Sequence, residues 1–216
     1  MLLAEEFVLL TLDAESGKKA LSGEKYGPAL GAALLVELAL LERVSVAPPT
    51  AGRRGRYRVS VTSTAPTDDD ELDAMLQVIV SEEGVKVGTL ITDMAWSPVT
   101  KGLHLRLLAR LVRAGVLTER RSETLGLRRW PRVDSLQEEE IRRRLQRCLV
   151  GNEEPTERTA ALIALLLATG SLLMTVSSAD SAKKAITARA MALSEGDWAG
   201  AAVKAAIDEA QASGIG

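Results

Sequence analysis

Aromatic side chains are nearly missing from this chain: one Phe, two Tyr and three Trp among 216 residues. A core without aromatics must be built from Leu, Ala, Val and Ile, which favours helices over a β-sandwich. A single cysteine, Cys148, excludes an internal disulfide framework and fits a reducing compartment. A single histidine, His104, leaves no multi-His metal site and suits a His-based triad poorly. The chain has no Walker loop, no Gly-x-Gly-x-x-Gly after a strand, no Gly-x-Ser-x-Gly elbow and no Cys-x-x-Cys pair. The expectation is therefore a protein without cofactor, metal or catalytic residues. A basic leader is also missing, because acids interrupt the opening run Met1-Leu2-Leu3-Ala4-Glu5-Glu6, and a cytoplasmic location is expected.

Apolar residues make up 46% and charged residues 26%, as in a globular protein with a sizeable core. The net charge of −2 selects no partner, but its distribution is uneven. Residues 66–83 hold seven acids and no base, whereas residues 101–150 hold thirteen bases against six acids. Arginine outnumbers lysine nineteen to eight, and its planar fork of donors grips phosphate well. Residues 160–176 are seventeen residues without a charge and include Thr169, Gly170, Ser171 and Thr175. A membrane span needs about 20 apolar residues, so this stretch reads as a buried central helix.

Periodicity supplies the remaining organisation. An apolar run over 4–12 precedes a turn at 13–17. Pro28 opens a helix to about Glu42 that carries Leu30, Leu34, Leu35, Leu38 and Leu41. Residues 44–46 and 57–61 alternate as strands and pair as a hairpin around the Pro- and Gly-containing segment 48–55. Acids at 68–71 start a helix to Ser81, where the macrodipole favours them. Helices follow over 85–95 and 103–114, with Gly115 as a cap. Residues 116–120 and 125–130 make a second hairpin. Ser135 and Glu138, at capping-box spacing, open a helix bearing Arg142, Arg143, Arg144 and Arg147. The remainder, 181–212, is helical with a break near Gly196. The expected fold is mainly α, one globular helical domain over 1–216 around the central apolar helix, with small peripheral β-hairpins. Residues 34–44 and 107–117 are weakly similar, each a Leu-rich helix followed by a hairpin. An old duplication and a generic helix-then-hairpin pattern both account for this.

The arginines of the helix that Ser135 opens carry the functional reading. Arg144 and Arg147 stand three apart, and Arg143 and Arg147 four apart, so each pair shares a helix face. The face is either salt-bridged to Glu138, Glu139 and Glu140 or open to a phosphate. At the level of motifs the chain resembles the Golgi phosphoprotein 3 family. The resemblance rests on Leu34-Leu35-Val36-Glu37-Leu38-Ala39-Leu40 with Arg43-Val44, on Trp96-Ser97-Pro98, and on residues 111–119. It continues through Ile141-Arg142-Arg143-Arg144-Leu145 and residues 161–166, in the family's order and spacing. The Arg and Ala bias resembles that of a bacterial, actinobacterial relative.

That resemblance implies a helical peripheral membrane protein that binds phosphatidylinositol 4-phosphate or another anionic phospholipid headgroup at a membrane surface. It also implies an adaptor role toward a protein client and a capacity to form homo-oligomers. The family's basic pocket residues fall on Arg144 and Arg147, beside Arg143. The pocket's Trp and further Arg fall on Ser22 and Gly31, with Tyr26 the nearest aromatic and Lys25 the nearest base. The family's membrane-dipping hairpin falls on residues 149–158, which are acidic here. A different class of function also has support in the residues. The helix over 103–114 and the hairpin with Arg120, Arg121, Arg128, Arg129 and Arg132 resemble a winged helix that binds nucleic acid. The pI of about 5.7 and the Leu-rich helix face weigh against it.

Overall fold

The computed structural model describes residues 1–13, 21, 23–47, 57–82, 84–95, 97, 99–121, 128–131, 133, 136–176, 182–195 and 198–200. Expectations for the turn at 14–17, the hairpin segment 48–55, Trp96, Pro98, Leu125, Arg132, the Ser135 cap, Gly196 and residues 201–212 lie outside the described residues, as does Ser22.

The fold is mainly helical, built around helices that are apolar on every side. In α1 (Leu3–Leu10) all eight residues are buried, including the only Phe, Phe7. Helix α2 (Gly23–Leu40) is buried continuously from Pro28 to Leu38. A helix without a polar face is stable only at the centre of a protein, and both are covered accordingly. Helix α2 packs on α1, α3 (Asp70–Ser81), α4 (Val87–Ala95) and α7 (Glu157–Ala168). Helix α1 adds contacts to α5 (Leu103–Arg113), α6 (Leu136–Leu149) and α7. Helix α7, buried from Ala161 to Leu166, is also packed by α6, α8 (Leu172–Thr175) and α9 (Lys183–Leu193). No helix among the described residues is long and apolar enough to cross a membrane.

Two antiparallel ribbons lie outside this core. In the first, β1 (Val44–Ala47) pairs with β2 (Arg58–Val61), with Val44 opposite Val61 and Ala47 opposite Arg58. Only Val44 and Val59 point fully inward, the alternation expected of a half-buried ribbon. The second pairs β3 (Arg120–Arg121) with β4 (Arg128–Arg129). Its regular part is shorter than the alternation suggests. Below it the Thr118 N–H donates to the Pro131 carbonyl at 3.0 Å, and the Val133 N–H to Val116 at 3.0 Å.

Three expected boundaries move. Helix α2 starts at Gly23, so Pro28 lies inside it. Inside a helix a proline removes one donor and crowds the carbonyl four residues back, a cost offset here as the extra turn brings Tyr26 into the core at 2% exposure. Val85 and Lys86 extend the first ribbon instead of joining a helix: the Val59 N–H donates to the Val85 carbonyl at 3.1 Å, and Lys86 bridges Arg58. The apolar stretch 160–176 is two helices. After Thr169, Gly170 takes φ +73°, its N–H donates to Leu167 at 3.0 Å, and the Ser171 N–H donates to Leu166 at 2.9 Å. This is a Schellman stop. The buried Thr169 and Ser171 hydroxyls satisfy each other at 2.8 Å.

The same stop ends both Leu-rich helices. The Gly115 N–H donates to Val112 and the Val116 N–H to Leu111. Equivalently, the Glu42 N–H donates to Ala39 and the Arg43 N–H to Leu38. The two C′ residues, Glu42 at φ +56° and Gly115 at φ +75°, hold the same place in the weak internal similarity. A left-handed conformation strains a glutamate but not a glycine. Glu42→Gly is therefore expected to stabilise the fold by about 0.5–1 kcal/mol, and Gly115→Glu to destabilise it by about 1 kcal/mol or more. Urea denaturation of the two variants and the parent checks the opposite signs.

Candidate anion-binding face

Three carboxylates are buried where α1 meets α2: Glu5, Glu6 and Glu37 are 5%, 4% and 8% exposed. Carboxylates taken out of water need charge partners and hydrogen bonds, and arginines from three other helices supply them. From α5, Arg110 bridges Glu5 Oε1 at 2.8 Å and Asp69 Oδ2 at 2.7 Å. From α7, Arg158 bridges Glu6 Oε1 at 3.0 Å and Glu37 Oε1 at 2.6 Å, and donates to the Met1 carbonyl at 2.9 Å. From α6, Arg144 donates to Glu6 Oε2. Remaining oxygens accept from the backbone: Glu37 from the Leu3 N–H at 2.6 Å, Glu5 from the Leu2 N–H at 2.7 Å. Burial pulls the Arg158 guanidinium down, but the Glu37 hydrogen bond and the field of Glu6 and Glu37 outweigh it and raise its pKa.

The expected headgroup arginines accordingly diverge, although all stand on α6. Arg144 turns inward to Glu6. Arg143 stays on its own helix, paired with Glu140, and both are more than half exposed. Arg147 faces outward, 46% exposed, with Nε on Glu153 Oε2 at 2.9 Å. Arg142, the fourth of the run, spans Glu138 at 2.5 Å and the Thr175 carbonyl at 2.6 Å. Tyr26 and Lys25 lie elsewhere. The Tyr26 ring packs between Phe7 and His104, its hydroxyl accepts from Thr11 Oγ1 at 3.2 Å, and Lys25 donates to the Thr169 carbonyl at 3.4 Å. Gly31 is buried within α2. His104 stacks edge-on against Tyr26 and Trp130, at centroid distances of 5.4 and 6.2 Å.

A residue that the motif did not mark joins the outward face. Arg189 of α9 donates from Nε to the Cys148 carbonyl at 3.4 Å and from Nη2 to Glu154 Oε1 at 3.2 Å. Two consecutive acids of the loop 150–156 thus sit on two arginines from different helices, Glu153 on Arg147 and Glu154 on Arg189. The loop forms no strand; Asn152 has φ +57°, and the Glu153 N–H returns to the Arg147 carbonyl at 3.1 Å. Glu153 and Glu154 are 54% and 84% exposed at their side chains, so water and salt weaken both pairs. Cys148 lies beneath this face. Burial and Glu153 raise its thiol pKa despite Arg147, Arg144 and Arg189, which makes it an apolar core group and not a reactive thiolate.

Other features are accounted for differently. Both internal arginines of α5 are engaged, Arg106 on Glu71 at 2.6 Å and Arg110 as above, while Leu103, Leu107, Leu108 and Leu111 are buried. A groove of about 400 Å³ between α2 and α7 is edged by Glu157 and Glu195, which repel an anion. Among the described residues no three His, Cys, Asp or Glu gather as a metal site.

The family model of Golgi phosphoprotein 3 (GPP34) matches residues 3–210, nearly the whole chain, and the chain belongs to that family.

Two predictions follow from the buried groups. Arg158→Ala leaves Glu6 and Glu37 buried with fewer partners, so a loss of about 3–5 kcal/mol is expected; Arg147→Ala, at the surface, is expected to cost about 0.5 kcal/mol or less. Chemical denaturation separates the two. Burial also pushes the Tyr26 phenol up to about 12 from 10.0, against a lowering by the Thr11 hydroxyl. The folded phenol thus keeps its proton where the unfolded one ionises. Its stabilisation is complete below pH 10 and is lost as the pH rises through about 12, by roughly 2–3 kcal/mol. Tyr26→Phe is expected to flatten that alkaline limb in denaturation curves.

Proposed function

We propose that this member of the Golgi phosphoprotein 3 family is a peripheral membrane protein that binds anionic phospholipid headgroups through Arg147 and Arg189, with Arg144 adding charge beneath them. The observation that carries this reading is the pair of loop carboxylates on the two arginines. Glu153 and Glu154 hold the two guanidinium groups at 2.9 and 3.2 Å, and in this reading headgroup oxygens displace them. Charge-assisted bonds between guanidinium and phosphate are short and strong. Each basic residue beside an anionic bilayer contributes about 1 kcal/mol, and salt screens the attraction. Binding is reversible, sensitive to ionic strength, and needs no membrane-spanning helix.

The resemblance puts pocket residues at Arg144 as well as Arg147, but the bond of Arg144 to Glu6 gives it a structural duty too. Replacing it confounds binding with stability, so the informative variants are at Arg147 and Arg189. Lys25 and Tyr26, over the end of α7 and in the core, take no part in this reading. Phosphatidylinositol 4-phosphate is the headgroup that the family suggests. An adaptor role toward a protein client and a homo-oligomer extend the same reading.

Co-sedimentation with phosphatidylcholine vesicles, alone or containing phosphatidylinositol 4-phosphate or phosphatidylserine at matched charge, tests it. Arg147→Ala with Arg189→Ala is expected to weaken binding on the order of tenfold. Glu153→Gln with Glu154→Gln is expected to tighten it severalfold, since the headgroup no longer displaces two carboxylates. A double arginine variant that binds as well as the parent overturns the reading. Equal binding to the two anionic lipids assigns the site to charge and not to a particular headgroup.

A further inference from the structure

The second ribbon carries a charge arrangement that its own fold does not explain. Its register sets Arg120 opposite Arg129 and Arg121 opposite Arg128. Like charges directly opposite one another destabilise an antiparallel pair, and an anion beside Arg120 and Arg129 relieves that repulsion. Arg128 has a surface partner, Glu119 at 3.3 Å. Among the described residues no carboxylate pairs with Arg120 or Arg129; the Arg129 Nε is buried without a hydrogen-bond partner, so an outside anion would be met by the terminal nitrogens of these side chains.

Four and seven residues after Arg129 come the two most exposed large apolar side chains of the described residues, Val133 at 64% and Leu136 at 69%. Apolar side chains placed among arginines match a bilayer interface, where hydrocarbon accepts the former and phosphates the latter. A nucleic-acid backbone satisfies the arginines but leaves Val133 and Leu136 in water. The ribbon is also firmly based. Trp130, next to β4, packs on the core and stacks on His104.

Helix geometry joins this patch to the outward arginine of α6. Leu136 and Arg147 are eleven residues apart, close to three full turns, so they share one side of the helix about 16 Å apart. Glu140 and Arg143 lie on that side between them, both exposed, and Val150, at 50% exposure, follows its end. A single plane can therefore touch Leu136 and Arg147 together.

We propose that Arg120 and Arg129, with Val133 and Leu136, form a second bilayer-contact patch that seats this side of α6 on an anionic membrane surface. The proposal rests on the membrane reading above, and its test separates the two. Vesicles of phosphatidylcholine with phosphatidylserine, and of phosphatidylcholine alone, are mixed with the parent, Arg120→Gln with Arg129→Gln, Leu136→Ser, and Arg147→Gln with Arg189→Gln. Leu136→Cys is labelled with an environment-sensitive fluorophore, the buried Cys148 being spared, and Val80→Cys on α3 is labelled for comparison. The ribbon double variant is expected to bind the anionic vesicles about tenfold more weakly, and Leu136→Ser severalfold more weakly. Relief of the cross-strand repulsion should leave the ribbon variant's melting temperature unchanged or raised. The label at 136 should shift to the blue on anionic vesicles alone, and the label at 80 should not shift. If the Arg147 and Arg189 variant loses binding while the ribbon variant binds as the parent and label 136 is silent, the patch is refuted and the membrane reading stands. If the parent ignores both vesicles and instead binds duplex DNA through Arg120 and Arg129, both are overturned.

Discussion

Three carboxylates shut away from water at the α1–α2 junction set the terms for much of the rest of the molecule. Apolar burial is non-directional, and helices rich in Leu and Ala can slide or rotate against each other at small cost. Glu5, Glu6 and Glu37 do not allow this. Each needs guanidinium donors within hydrogen-bond reach, and these come from α5, α6 and α7 through Arg110, Arg144 and Arg158. An error in the rotation of any of these helices leaves a carboxylate buried and short of a partner, which costs several kcal/mol. The clamp thus selects one register among the packings that the apolar surfaces alone permit. Asp69 ties it to the chain's local structure. The same carboxylate that meets Arg110 caps α3 through the Glu71 and Leu72 N–H groups, and despite burial these contacts hold its pKa below the usual range.

The clamp also determines what α6 presents. Its turn advances about 100° per residue, so an arginine run cannot keep one function. Arg144 faces the core and is spent on Glu6, while Arg143 and Arg147 face water. Inward-facing arginine holds the helix in place, and outward-facing arginine is free to exchange a weak, exposed partner for an external anion. Both duties fall within one run of four arginines in six positions. On the proposed reading, that exchange is a competition between the two carboxylates of the loop after α6 and a phosphate from outside.

Much of the fold was legible in the sequence because the information was local. Leu periodicity located α5, the capping-box spacing of Ser135 and Glu138 located α6, the acids at 68–71 marked the start of α3, and alternation identified the ribbon of 44–46 with 57–61. The misplaced boundaries share one physical cause. Hydropathy carried the apolar helix through Gly170 because the residues beyond it are apolar too, whereas a Schellman stop is a matter of one residue's φ. Pro28 looked like a helix start because the burial of Tyr26, which pulls the preceding turn into the helix, depends on Thr11, Phe7 and His104.

By itself the sequence determined the helical class, the location of the arginine-rich helix and the family to which the chain belongs. It also held a sign that was not read, Glu5 and Glu6 within an otherwise apolar run, since charges there must find partners. Only the tertiary structure decided which partners. Arg144 and Arg147 are equivalent in any list of helical neighbours, yet one is bound to a carboxylate 138 residues away and the other stands in water. Arg189 joins Arg147 only because α9 packs back against α6 and α7. Spacing along a helix determines which side chains share a face. Whether that face meets a buried acid, a loop or solvent is set by elements distant in sequence, and no local pattern encodes their position.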